Sequence, residues 1–376
     1  MLLSPPYDVL GPAERAAFAG RHPDNIVRVI LPEGSEQTRY GHAAGVLADW
    51  RTRDVVARDA EPSVYVVRQQ FATPDGVSFA RSGVIGAVAA EPYAHGRVKP
   101  HERTHGGPKA DRLALLQATR VQSEAIFLIA RDQRGHLRRR LDGVTRHEPH
   151  AVAELEGVDI GLWRVQGAQA REIAHACGES LYIADGHHRY ETATTAGVAD
   201  PSARRLPALI VAAADPGLVV LPTHRLVRGG RIDPGVARSV LARHFTVEDR
   251  PVELAPHRLL GELNADGIRC AVLVGGLLFV CMAPPAADGR LPLIAIEEWA
   301  VEPLRALADG TVSYSPRAGA VVGDQHDAVA GILVPPTPLE TVLQTADAGG
   351  IMPPKSTYFH PKVPSGLVWM PVDETD

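Results

Sequence analysis

Residues 181–197 read LYIADGHHRYETATTAG, and the fold turns on how this stretch is interpreted. The apolar run Leu181–Ala184 ends at Asp185-Gly186. His187, His188 and Arg189 follow, and then a segment able to be helical runs to Gly197, a residue type suited to a C-cap. The pattern predicts a strand, a tight turn and a helix. Such a corner exposes the first free N–H groups of the helix and the positive end of its dipole, and both favour an anion. Cations at that end are out of place unless a ligand brings negative charge. His187, His188 and Arg189 therefore point to a phosphate site, with Gly186 letting the backbone come close. A plainer reading has Asp185 capping the helix and the histidines solvated. Asp185, His187 and His188 are also metal-ligand types, but adjacent histidines on a helix start diverge by about 100°.

Working outward, "VYVVRQQF" (64–71) and "FARSGVIGAVAA" (79–90) read as strands paired around Pro74-Asp75-Gly76. The segment 108–120 reads as a helix, with Pro108 in its first turn and Leu113, Leu115 and Leu116 as its apolar face. Strands are expected at 125–130, 159–165, 206–214 and 217–225, with a helix across 166–178. Arg138-Arg139-Arg140 reads as a solvated strand edge or loop. In the last third, a helical segment (297–310) alternates with a strand (330–336). The run Cys270–Ala287 is apolar for long enough to raise the question of a membrane helix. Gly275-Gly276 splits it into β-rich halves and Pro284-Pro285 ends it, so a buried hairpin is expected.

The chain has 376 residues, 45% hydrophobic and 22% charged, enough for two or three domains with a substantial core. A net charge of −5 argues against a nucleic-acid surface, which needs a concentrated basic face. Cys177, Cys270 and Cys281 form no Cys-x-x-Cys pair and are odd in number, which fits buried thiols in a reducing cytoplasm. The opening MLLSPPYDVL has no basic start and no long apolar region, so no signal peptide is expected.

Two motif matches fail on context. His101-Glu102-Arg103-Thr104-His105 fits the zinc-protease pattern, but Pro100 and Gly106-Gly107-Pro108 bracket it and leave no room for a helix. Lys355-Ser356-Thr357 resembles a P-loop tail, but Pro354 has no N–H for a phosphate. Lys355, Ser356, Thr357 and Lys362 still stand in a stiff loop suited to line a pocket. Lys109 and Arg112 fall in the first turn of the predicted 108–120 helix, again the wrong sign for the dipole unless an anion faces them. For Arg112 a solvated turn, partly offset by Asp111, explains the residue as well.

ADGHHRYETA (184–193) resembles the nucleotide-binding box of the ParB and sulfiredoxin superfamily, in which this turn holds nucleotide phosphates. GPKADRLALL resembles the sulfiredoxin segment Asp-Pro-x-Lys, which implies a phosphate role for Lys109. This resemblance covers about residues 95–197. His187 stands at the sulfiredoxin cysteine position, so a sulfinic-acid reductase is excluded for want of its sulfur nucleophile. PPYDVL, KPHERTHGGPKADRL, YIADGHHRYETA, LPTHRLV and MPPKSTYFHPKVPSGLV together resemble the domain of unknown function 1015 family over nearly the full length. That resemblance implies kinship with free-serine kinases of archaea and staphylococci, which share the Asp-Gly-His-His-Arg box. Those enzymes make O-phosphoserine from L-serine with ADP or ATP and Mg2+, and use a glutamate as base. The corresponding loop here carries Glu102.

The expectation is an α+β protein with mixed sheets: an N-terminal region (1–94), a ParB/sulfiredoxin-like nucleotide-binding domain (95–225) and a C-terminal domain (226–376). Its expected activity is a small-molecule kinase in the cytoplasm. Nucleotide phosphates fall to Lys109, Arg112, Gly186, His187, His188 and Arg189, and proton acceptance to Glu102. Asp185 orients His188 or ligates Mg2+. His224, Arg225, Lys355 and Ser356 are candidates for the substrate carboxylate. Asp8 is a candidate for its ammonium group, or a turn cap after two prolines. The expected partners are an amino acid and ATP or ADP, with no nucleic acid, no membrane and a homodimer as one arrangement. Two alternatives remain: a nucleotide-binding regulatory protein without transfer, and a metal-dependent hydrolase using His101, Glu102 and His105 or the 185–188 cluster.

Overall fold

The computed structural model describes residues 2–104, 106–252, 256–286, 289–322 and 328–372. The chain forms two compact units. One is Met1–Val219 with Leu343–Ile351 and Pro361–Asp376; the other is Val220–Val342 with Met352–His360. Both mix helices with β-sheets, so the α+β expectation holds.

The first unit opens with helices α1 (Pro12–Arg21), α2 (Val27–Ile30) and α3 (Arg39–Thr52). Then come β1 (Ser63–Ala72), β2 (Ser78–Ala89), β3 (Val98–Lys99), α4 (Gly106–Thr119), β4 (Val121–Gln122) and β5 (Ile126–Ala130). The rest is α5 (His136–Val144), β6 (Ala151–Leu155), β7 (Val158–Gln166), α6 (Gly167–Ala176), β8 (Leu181–Asp185), α7 (His187–Ala199) and β9 (Arg205–Ala212). Eight strands form one mixed sheet in the order β3-β8-β5-β9-β2-β1-β7-β6, with β3–β8 and β5–β9 parallel and the remaining pairs antiparallel. β1 and β2 belong to this sheet, so the expected boundary at 94/95 runs through it.

Continuous apolar strands bury both faces. Ile126, Leu128, Ile183, Ala208 and Ile210 pack with Leu137 and Leu141 of α5, Ile173 of α6, and Tyr190 and Ala193 of α7. A separate cluster joins Ile26, Val29 and Ile30 to Leu47 and Trp50 of α3 and Leu115 of α4, which fixes α4 beside the N-terminal helices.

Two local expectations are corrected. Arg138-Arg139-Arg140 lies in α5, not on a strand edge or loop. Leu137, Leu141 and Val144 supply the buried helical stripe, and the three arginines take the exposed face. The segment 217–225 is not one strand but parts of two, Val219–Leu221 and His224–Arg228. Pro222, which has no N–H to give a ladder, stands in the break.

In the second unit, six antiparallel strands run in the order Thr246–Arg250, Leu277–Ala283, Ile268–Val274, Ala330–Leu333, His224–Arg228, Thr311–Ser315. The expected hairpin is there, turning at Gly275 (φ +54°) and Gly276 (φ +79°). Its side chains alternate between two cores: Cys270, Val272 and Cys281 on one face, Ala271, Leu273 and Val280 on the other. That double burial explains why the run reads as uniformly apolar. All three cysteines are free and buried. Among the described residues, no helix is long and apolar enough to cross a membrane.

Candidate functional site

The predicted strand–turn–helix corner forms in the first unit. β8 is buried through Ala184, Gly186 turns the chain at φ +98°, and α7 begins at His187. A Cβ on Gly186 would lie 2.6 Å from Ile126 Cγ2, so conformation and space both demand glycine. The N-cap is Gly186 and no side chain caps α7, so Asp185 has another task. Its Oδ2 accepts a hydrogen bond from Arg189 Nη2 at 2.9 Å, and its Oδ1 accepts one from Lys362 Nζ. Burial pushes the Asp185 carboxyl up, but Lys362 and Arg189 outweigh it and hold it down at about 2.

The side chains of the box do not all face outward. Arg189 is 8% exposed and turns inward, donating from Nη1 to the Ala125 carbonyl at 2.7 Å as well as to Asp185. His187 is also buried and meets His101 edge-on, with ring centroids 4.9 Å apart. Burial pushes both imidazoles down, His101 to about 4 and His187 well below the ordinary range, with His101 adding to the effect on His187. Both are neutral at pH 7. His187 Nε2 is buried without a hydrogen-bond partner among the described residues. The expected row of charged donors is therefore corrected: only His188, half-buried, keeps a partly open position.

α4 brings the next residues. Lys109 Nζ donates to Glu191 Oε2 at 2.8 Å, and Thr104 Oγ1 donates to the same oxygen at 2.6 Å, tying α4 and the loop before it to α7. Arg112 is not in a solvated turn. It is buried, donates to the Ile30 carbonyl at 2.7 Å and from Nε to Asp111 at 2.9 Å, and lies 4.1 Å from the Tyr7 ring centroid. Its Nη1 is 3.6 Å from buried Glu124, which also accepts from the Tyr7 N–H and the Ser365 hydroxyl. A cavity of about 30 Å³ between α4 and α7 is lined by Arg112, Leu116, Glu124, Arg189 and Thr192.

Glu102 is half-buried in the segment between β3 and α4. That segment is not helical through residue 104, so it offers no helical His-Glu-x-x-His face; His105 lies outside the described residues. Asp8 is exposed in the 3-10 turn Tyr7–Val9, and its charge acts on Arg189 and Tyr7. His224, Arg225, Lys355 and Ser356 belong to the second unit. There Arg225 is fully buried and donates from Nε to Glu297 at 2.7 Å, while His224 Nδ1 lies 3.3 Å from the Val334 N–H. Ser356 donates to the Pro353 carbonyl at 2.6 Å, and Lys355 takes φ +59°.

Magnesium does not fit at Asp185. Both carboxylate oxygens already accept from cations, and among the described residues no three His, Cys, Asp or Glu side chains gather as a metal site. Glu124, Glu191, Ser365 and Lys362 take part in this network, though the sequence marks none of the first three and marks Lys362 only as lining a stiff loop. For Lys362 the only signal is a lysine fixed between prolines in HPKVP.

Comparison with curated proteins gives no match. Among solved structures, a variant of a free serine kinase in complex with AMP is 12% identical, with 73% of this chain and 86% of that one covered and a TM-score of 0.42. A conserved hypothetical protein from Pyrococcus furiosus is 14% identical, covering 75% and 93%, with a TM-score of 0.40. SbnI from Staphylococcus aureus, with a C-terminal truncation, is 9% identical, covering 74% and 84%, with a TM-score of 0.39. The model of the DUF1015 family, described as protein of unknown function, matches residues 1–283. That match spans well over half of the sequence, and the chain belongs to the DUF1015 family.

Proposed function

We propose that the protein is a phosphotransferase that moves a phosphoryl group from ATP or ADP to the hydroxyl of a free amino acid, with L-serine, giving O-phosphoserine, as the first acceptor to test. The observation that carries this reading is the corner at 185–189. A positive-φ glycine opens a 13-residue helix beside two lysines, Lys362 and Lys109, each held by one carboxylate, Asp185 and Glu191. A helix N-terminus and two poised ammonium groups suit a polyphosphate, which competes with the carboxylates for both lysines. The choice of amino acid comes from the resemblance of the Asp-Gly-His-His-Arg box to that of free-serine kinases.

In this reading the α7 amides, His188, Lys109 and Lys362 hold the phosphates and offset the charge that spreads over the transferring group. Asp185 and Arg189 position Lys362, and neutral His187 and His101 pack behind the turn without adding charge. Glu102 takes the proton of the acceptor hydroxyl as its oxygen bonds to phosphorus and the nucleotide leaves. Replacing a base of this kind lowers the rate about 10²–10⁴-fold.

Phosphorus NMR of the protein with ATP or ADP, Mg2+ and a panel of amino acids tests the proposal. A phosphomonoester is expected with at least one acceptor, and Glu102→Gln loses it while still binding nucleotide. No phosphomonoester from any acceptor sinks the kinase reading. A nucleotide-binding regulator without transfer is the second reading, favoured by the full internal pairing of Arg189 and Arg112. It predicts nucleotide binding with no product.

A further inference from the structure

A cleft of about 530 Å³ opens beside the first turn of α4. Its charged and aromatic lining is Tyr7, Arg15, Glu33, Arg39, Asp111 and Arg112, so positive and negative groups face the same space. We propose that this cleft is the acceptor pocket and binds the zwitterion of a free α-amino acid, an inference that rests on the phosphotransferase reading.

The pairing inside the cleft decides which groups meet the ligand. Arg112 is committed to the Ile30 carbonyl and Asp111. Asp111 is committed to Arg112, to Arg39 at 3.0 Å and to the Tyr40 hydroxyl at 2.8 Å. What can open is the ion pair of Arg15 with Glu33, whose side chain is 74% exposed; pairs of this kind add little stability. Arg15 is itself braced by the Leu31 carbonyl at 3.0 Å, so its guanidinium stays in place when the glutamate swings away. Arg39 adds a buried Nε with no hydrogen-bond partner among the described residues.

An α-amino acid fits this pattern: its carboxylate goes to Arg15 and Arg39, its ammonium to Glu33. A simple phosphate would meet two carboxylates, and a simple cation three guanidiniums. Arg112 also lines the small cavity that reaches Arg189, so a ligand here adjoins the corner proposed for the nucleotide.

Calorimetric titration of the full chain tests the pocket, with L-serine, L-threonine and L-homoserine in one series and ATP and ADP in another. The proteins are wild type and Glu33→Gln, chosen because an exposed glutamate leaves the fold intact, with Arg15→Gln as a second variant. At least one amino acid binds the wild type, and both variants weaken it about tenfold or more through loss of a charged hydrogen bond. Nucleotide affinity stays within about twofold, as expected for a side chain that does not touch it. The pocket is overturned if the variants bind the amino acid as the wild type does, if they weaken nucleotide equally, or if no amino acid binds. Failure of nucleotide alone to bind sinks the phosphotransferase reading instead and leaves the amino-acid series to decide the pocket.

Discussion

Lys362→Met removes the ammonium from Asp185 and keeps a stem of similar length. In the wild type the two side chains are 15% and 12% exposed, so this is an interior pair and not a surface one. Without it, among the described residues Asp185 keeps Arg189 as its one hydrogen-bonded cation. The Asp185 carboxyl falls from its ordinary 3.8 to about 2, against the pull of burial. At 1.36 kcal/mol for each tenfold change in proton affinity, that drop is worth roughly 2 kcal/mol of preference for the ionised form in the folded protein. Removing one partner of a buried pair costs about 3–5 kcal/mol, and the remaining Arg189 contact reduces this. Urea unfolding at pH 7 is expected to show a loss of about 2–4 kcal/mol. The pH dependence supplies a second check. A depressed carboxyl stabilises the fold above its unfolded pKa, and this is lost as pH falls through the folded one. The gap between variant and wild type is therefore full above about pH 4 and narrows toward pH 2. For folded variant protein, losing one lysine–phosphate contact is expected to weaken ATP binding about 10–100-fold. A stability change under about 0.5 kcal/mol with parallel pH curves refutes the ion-pair argument. Unchanged ATP affinity refutes the phosphate role of Lys362.

Gly186→Ala forces a side chain into the positive-φ corner and against Ile126, and is expected to cost about 2–5 kcal/mol, read as a shift in the urea midpoint; a cost below about 1 kcal/mol contradicts the geometry. Glu191→Gln releases Lys109 from its carboxylate and is expected to tighten ATP binding by up to about fivefold in a fluorescent-nucleotide titration. Weaker binding would mean that Glu191 positions Lys109 instead of competing for it. His101 is buried with its pKa pushed down to about 4, below the unfolded 6.5, so falling pH favours the unfolded chain. About 2 kcal/mol of stability is expected to disappear between pH 7 and pH 5 from this residue, and His101→Gln flattens that slope; an unchanged slope rules it out as the cause.

The corner was legible in the sequence because its signals are local. An apolar run, an Asp-Gly turn and a helical stretch sit side by side, and Gly186 is required by a backbone angle that belongs to the turn itself. The hairpin at 268–283 was legible for the same reason, through two adjacent glycines at positive φ. α5 was missed because its three arginines hide a stripe made by the leucines on either side of them. What the sequence could not show is which way a charge points. Arg189 and Arg112 turn inward because carbonyls at Ala125 and Ile30, 64 and 82 residues away along the chain, accept from them. Lys362 reaches Asp185 from 177 residues away, on a segment that returns to the first unit after the chain has completed the second. In the proposed reading, a local motif offers an anion the N-terminus of α7. Which cations stand beside it depends on long-range folding: two of the three residues nearest the turn, His187 and Arg189, are buried, while a lysine from the far end of the chain reaches Asp185. The Lys362 ammonium at this corner is consequently conditional: it reaches Asp185 only when segment 361–372 is in place, whereas Arg189 and Lys109 come from α7 and α4 themselves.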